Sequence, residues 1–150
     1  MEAAIAYLHF VSAFLVAAFL VTELFLCGRD LQPAQVKALV RVDLYYVIAA
    51  AAVLVTGALR VLVVGKGAGF YLINPVFYIK LALFLAVGLV SILPTLQFIR
   101  WNRALGSIHQ PAPRERDIAS ARRYIALELL LFAFIPLMAV LMARGIGPRH

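Results

Sequence analysis

Apolar residues run through this chain in four long blocks, approximately 3–26, 42–64, 75–99 and 124–142, separated by short polar stretches. Each block matches the ~20 residues that an α-helix needs to cross ~30 Å of hydrocarbon. The pattern therefore predicts an all-α fold, an integral membrane four-helix antiparallel bundle, with residues 1–150 as a single four-helix transmembrane domain. Asp30-Leu31-Gln32-Pro33 reads as a cap followed by a first-turn proline, so helix two should begin near Pro33, ahead of the membrane. Residues 113–123 likewise read as a polar first portion of helix four. Asn74-Pro75 opens helix three, while Pro94 and Pro136 fall inside spans, where neighbouring helices can satisfy the carbonyls they free. The segment Gly65-Lys66-Gly67-Ala68-Gly69 has no strand before it and joins two spans, so it reads as a tight turn and not a phosphate loop. Trp101, Tyr7, Tyr71 and Tyr124 lie near span ends, as interfacial aromatics do.

Spacings of three and four residues mark the faces expected to turn inward. They connect His9, Ser12, Val16, Phe19 and Glu23 on helix one, and Tyr46, Ala50, Val53, Gly57 and Arg60 on helix two. The corresponding stripes are Lys80, Phe84, Val87 and Ser91 on helix three, and Tyr124, Glu128, Leu131 and Ile135 on helix four. Small residues at Ala49 to Ala52 and Gly57 would let helix two approach its neighbours closely.

Composition agrees with a membrane protein: 65% of residues are hydrophobic, against roughly half in soluble domains. The first apolar block has no Lys or Arg ahead of it, carries Glu23 and lacks a small-residue cleavage site, so it reads as a retained span and not a signal peptide. The single cysteine, Cys27, follows a bulky Leu26, unlike a lipidation site, and reads as a buried, inert thiol. The net charge of +7 raises the question of a nucleic-acid partner, and the placement of the charges answers against one. Arg29, Lys37 and Arg41 fall between the first two spans; Arg100, Arg103, Arg114, Arg116, Arg122 and Arg123 fall between the last two. The middle connection has only Lys66. By the positive-inside rule the first and third connections face the cytoplasm and both termini face outward. The basic connections then contact anionic lipids, at ~1 kcal/mol per residue near the surface.

Ionisable residues within the spans carry the functional signal. His9, Arg60 and Lys80 fall at matched depths and form one outer layer without an acidic residue; Glu23 lies ~20 Å further along helix one. A charge near mid-span costs roughly 2.5–3.5 kcal/mol on insertion scales, so two clustered cations call for an anion. A ligand bearing carboxylates or phosphates would supply it, with neutral His9 free to coordinate a metal. The plainer alternative lets Arg60 and Lys80 snorkel to the outer interface and leaves His9 as a hydrogen-bonded core residue. For Glu23 and Glu128, at the inner level, the expectation is salt bridges to Arg100, Arg122 or Arg123, with a proton relay as the alternative. Asp43 is expected to pair with Arg41 or stay solvated.

The strings YLHFVSAFLVAAFLVTELFL, VLVTGALRV, NPVFYIKLALF and SILPTLQFIRW resemble, over nearly the whole chain, a family of small bacterial four-helix membrane proteins of unknown function. More remotely, a His early in helix one, a Thr-Gly in helix two and Lys-Leu-Ala-Leu in helix three resemble the HemJ-type protoporphyrinogen oxidases, four-helix membrane proteins that bind haem b. The His and Lys that work as a pair in that family fall on His9 and Lys80, and its Thr-Gly on Thr56 and Gly57. Where those proteins carry a Trp and an Arg farther along helix one, this chain has Val16 or Ala17 and Glu23. The resemblance implies haem b as cofactor, in a protein of the bacterial inner membrane; joined to the charge layer, it makes His9 the expected axial iron ligand, with Arg60 and Lys80 pairing with propionates or occupying the opposite side. Three readings stand: a haem-b-binding membrane protein with a redox role, a non-catalytic lipid- or small-molecule-binding bundle, and a porphyrinogen-oxidising enzyme. Whether the chain forms a homo-oligomer is left open.

Overall fold

The computed structural model describes residues 1–28, 30–64, 69, 73–106 and 113–144. Four helices cover most of them: α1 (Glu2–Leu26), α2 (Pro33–Leu59), α3 (Pro75–Ala104) and α4 (Glu115–Ala143), with a π-helical segment, Arg60–Val64, continuing α2. All four are long and apolar enough to cross a membrane. Most of the Gly65–Gly69 segment, together with Arg29 and Tyr71, lies outside the described residues.

Local chemistry sets where these helices begin. Pro33 occupies the first turn of α2, and the Gln35 side chain accepts from the Gln32 backbone N–H at 2.8 Å, so Gln32, not Asp30, is the capping residue. Asn74 caps α3 by accepting from the Val76 N–H at 2.9 Å, ahead of Pro75. Glu115 and Asp117 stand in the first turn of α4, where carboxylates complement the helix dipole. Both α2 and α4 thus begin well before their apolar blocks, and Lys37, Arg41, Arg116, Arg122 and Arg123 ride on helical turns. Pro94 and Pro136 sit within α3 and α4 without ending either helix.

The helices form a four-cornered ring in chain order. α1 packs closely on α2, and α3 on α4; the two hairpins meet less intimately through α2–α3 and α1–α4. Side chains that pair across the ring give its sense: His9 reaches Thr56, Asp43 reaches Thr95, and Cys27 lies against the Ile118 carbonyl. Early residues of one helix meet late residues of the next, so neighbours are antiparallel. At the first end of the bundle α1 and α3 begin; at the second end they finish and α2 and α4 begin.

The core occupies the middle and the second end, where Val16, Leu20, Leu39, Phe98 and Ile125 are buried. The buried stripes differ by one position from those expected in three helices: Leu20 replaces Phe19, Ala49 replaces Ala50, and Ile125 and Phe132 replace Tyr124 and Leu131. An α-helix turns by 3.6 residues, so a strict heptad stripe drifts around it, and the packing of two partners per helix selects the drifted position. Trp101 is buried against Phe98, ring centroids 5.7 Å apart, and is a core residue, contrary to the interfacial role expected of it. Toward the first end the packing thins. Beyond Ser12, Val53, Val87 and Ile135, the only fully buried residues among those described are Asn74 and Val76.

Candidate functional site

Within this thinner first end lie His9, Arg60 and Lys80, each half-buried. α1 carries His9 on the turn before buried Ser12, and α2 meets it with Val53, Thr56 and Gly57. The Thr56 hydroxyl donates to the Ala52 carbonyl at 2.6 Å, the back-bond that helical threonines make to the preceding turn. With its own proton committed, the Thr56 oxygen is an acceptor for His9 Nδ1, 3.0 Å away. That contact assigns the ring proton to Nδ1 and leaves Nε2 with its lone pair. Gly57 makes the approach possible: a Cβ there would lie 3.3 Å from His9 Cε1, tighter than ordinary contact.

Arg60 begins the π-helical segment, and its guanidinium lies over the Phe10 ring at 5.6 Å from the centroid. Lys80, from the first turns of α3, is near enough for its charge to act on both His9 and Arg60. Two cations and an imidazole from three helices therefore share one layer. Among the described residues, the side-chain charges that act on His9 and Lys80 are cationic: those of Lys80 and Arg60 on His9, and that of Arg60 on Lys80. A π-helical turn reorients side chains relative to the α-helix it continues, and such turns recur at functional sites. The sequence gives no cue to this one.

A second polar layer crosses the core nearer the second end. The Tyr46 hydroxyl of α2 donates to Glu128 Oε2 of α4 at 3.2 Å, and the Thr95 hydroxyl of α3 donates to Asp43 Oδ1 of α2 at 2.7 Å. Glu23 of α1 is 1% exposed and feels the charges of both Asp43 and Glu128. Two expectations are corrected here. Asp43 is neither solvated nor paired with Arg41; it is 7% exposed and bonded to Thr95, because it stands three residues before Tyr46 and so continues the inward stripe of α2. Glu23 and Glu128 are not salt-bridged to Arg122, whose Nη1 donates instead to the carbonyls of Leu24 at 2.9 Å and Cys27 at 2.6 Å. Those carbonyls belong to the last turn of α1 and its cap, where the helix leaves acceptors unused, and they capture the guanidinium first.

Among the described residues no group of three His, Cys, Asp or Glu side chains converges closely enough to hold a metal ion. His9 therefore offers a single nitrogen ligand, which suits a metal carried within an organic ring better than a bare ion.

No curated protein and no solved structure matches the chain. The family model described as "Predicted membrane protein (DUF2214)" matches residues 1–147. An all-helical chain with four membrane-length apolar helices, matched over nearly its whole length, belongs to that family of membrane proteins.

Proposed function

We propose that this membrane protein binds haem b at the first end of its bundle, with His9 as axial ligand and Arg60 and Lys80 pairing with the propionates. The observation that carries the reading is the His9–Thr56 contact of 3.0 Å, which holds the proton on Nδ1 and leaves Nε2 as a ligand beside two cations. The supporting group of a metal-bound histidine ordinarily sits on its other ring nitrogen in this way. Arg60 and Lys80 want anions, and a haem supplies two carboxylates together with a metal that one imidazole can hold. The thin packing at this end leaves the layer accessible from the bilayer. When bound, haem supplies one-electron redox chemistry at its iron; the chain's own part is to hold, orient and charge-balance it. The coincidence of His9 and Lys80 with the working pair of the HemJ-type oxidases is consistent with this, and porphyrinogen oxidation is the enzymatic form of the same reading.

Protein produced with ample haem and purified in detergent should show a Soret band. His9→Ala should abolish it in folded protein, Thr56→Val should weaken it by freeing the imidazole to turn, and Lys80→Met and Arg60→Met should weaken or shift it. A colourless wild-type protein, or an unchanged band in His9→Ala, overturns the assignment. The stacking of Arg60 on lipid-facing Phe10, which is 56% exposed, favours a second reading in which the two cations hold phospholipid headgroups. Native mass spectrometry would then find an anionic lipid retained by colourless wild-type protein and lost from Arg60→Met.

A further inference from the structure

The second polar layer takes no part in the site above, yet it draws on all four helices. Glu23 and Glu128 are each 1% exposed, and Glu23 Oε1 and Glu128 Oε1 are both buried without a hydrogen-bond partner. Hydroxyls reach only Glu128 Oε2 and Asp43 Oδ1. Three carboxyl groups thus share one layer inside the apolar bundle, near enough for the charges of Asp43 and Glu128 to act on Glu23. Arg122 of α4 is held by the carbonyls at the end of α1.

An ionised carboxylate in such surroundings is costly unless it is paired, and three like charges add mutual repulsion. Something positive must be bound. Among the described residues the carboxyls do not converge into a metal-binding group, and no cationic side chain donates to them, so a proton bound to a single oxygen is the counter-charge the layer itself can hold. The two orphaned oxygens mark where it goes: an O–H bond on either would be free to turn toward the neighbouring carboxyl.

We propose that Glu23, Glu128 and Asp43 form an intramembrane proton-binding site, with protons carried as neutral carboxylic acids on Glu23 and Glu128. Loading transfers a proton from hydronium to a carboxylate oxygen, releasing water; unloading is the reverse, and no electron moves. Asp43 and Tyr46 from α2 act directly on the two glutamates; Ser91 of α3 stands against Tyr46, Thr95 against Asp43, and Cys27, beside Arg122, lies near Glu23 toward the second end. Only Arg122 among them is cationic, and its hydrogen bonds are already engaged. Asp43 differs from the two glutamates in that a hydroxyl, that of Thr95, donates to it at 2.7 Å from within the layer.

Infrared difference spectroscopy on the full chain in lipid nanodiscs tests this. Wild-type protein made with carbon-13 glutamate should show, at neutral pH, an isotope-shifted carbonyl stretch of a protonated carboxyl that disappears on alkaline titration. The other two glutamates, Glu2 and Glu115, are exposed. Glu23→Gln and Glu128→Gln should each remove about half of the band and leave the melting temperature near that of wild type, since Gln reproduces the neutral acid. Absence of the band from wild-type protein at neutral pH overturns the proposal without recourse to a variant. So does a band that both Gln variants retain.

Discussion

At the scale of single residues, the membrane makes each polar side chain answer for its own partner. His9 and Thr56 show the economy: one hydroxyl, having spent its proton on Ala52, fixes the tautomer of the imidazole opposite. Cys27 is the contrasting case, a polar group whose surroundings make it inert. It is fully buried just beyond α1, with Sγ 4.0 Å from the Ile118 carbonyl. Burial pushes its thiol from 9.0 up to about 11, and nearby Arg122 only partly offsets this. The sign follows directly: the folded state holds the proton that the unfolded chain releases, so stability contributed by Cys27 is present below pH ~9 and is lost as pH rises toward ~11. In folded protein at neutral pH, Cys27 should resist alkylation by iodoacetamide, and denaturation should expose it to rapid labelling. Rapid labelling before unfolding would contradict the burial.

At the scale of helices, the ends decide more than the apolar middles do. α1 has no basic residue in its own last turn, and Arg122 of α4 serves its terminal carbonyls instead. The same contact ties the two hairpins together at the second end, beside Cys27 and Ile118. Removing it leaves two carbonyls without their charged donor, and hydrogen bonds to charged groups are worth ~1.5–3 kcal/mol each when buried. Because Arg122 is only partly buried, Arg122→Met should cost about 2 kcal/mol in detergent unfolding, whereas Arg123→Met, an exposed position on the next residue, should change little. Equal melting of the two variants would show that the bridge between hairpins lies elsewhere. Gly57 and the π-helical segment after Leu59 do comparable work at the other end, letting α2 approach His9 closely and then carrying Arg60 onto Phe10.

At the scale of the molecule, two tight hairpins are joined more loosely, closed by core packing at one end and, among the described residues, more thinly packed at the other. Nine Lys or Arg residues fall between the first and second and the third and fourth apolar blocks, against Lys66 in the connection between the second and third. By the positive-inside rule that asymmetry predicts a cytoplasmic location for the closely packed end. A phosphatase reporter fused at the C-terminus should therefore be active, and a cytoplasm-dependent fluorescent reporter dark; the opposite pattern reverses the orientation. In that orientation the layer of His9, Arg60 and Lys80 opens outward and the carboxyl layer lies toward the cytoplasm.

Four spans, their antiparallel order, and the meeting of His9, Arg60 and Lys80 at one depth were legible in the sequence, because hydrophobic length and rise per residue alone set depth along a helix. Azimuth was not. The finer setting depends on how two partners per helix settle against each other, which exchanged Phe19 for Leu20 and Ala50 for Ala49. Nor could spacing show that Arg122 would prefer the unused carbonyls of α1 to a glutamate, since the competitor is backbone and carries no residue signature. Depth comes from one helix and the bilayer, so the sequence determines it; partners come from several helices at once, so only the tertiary structure decides them.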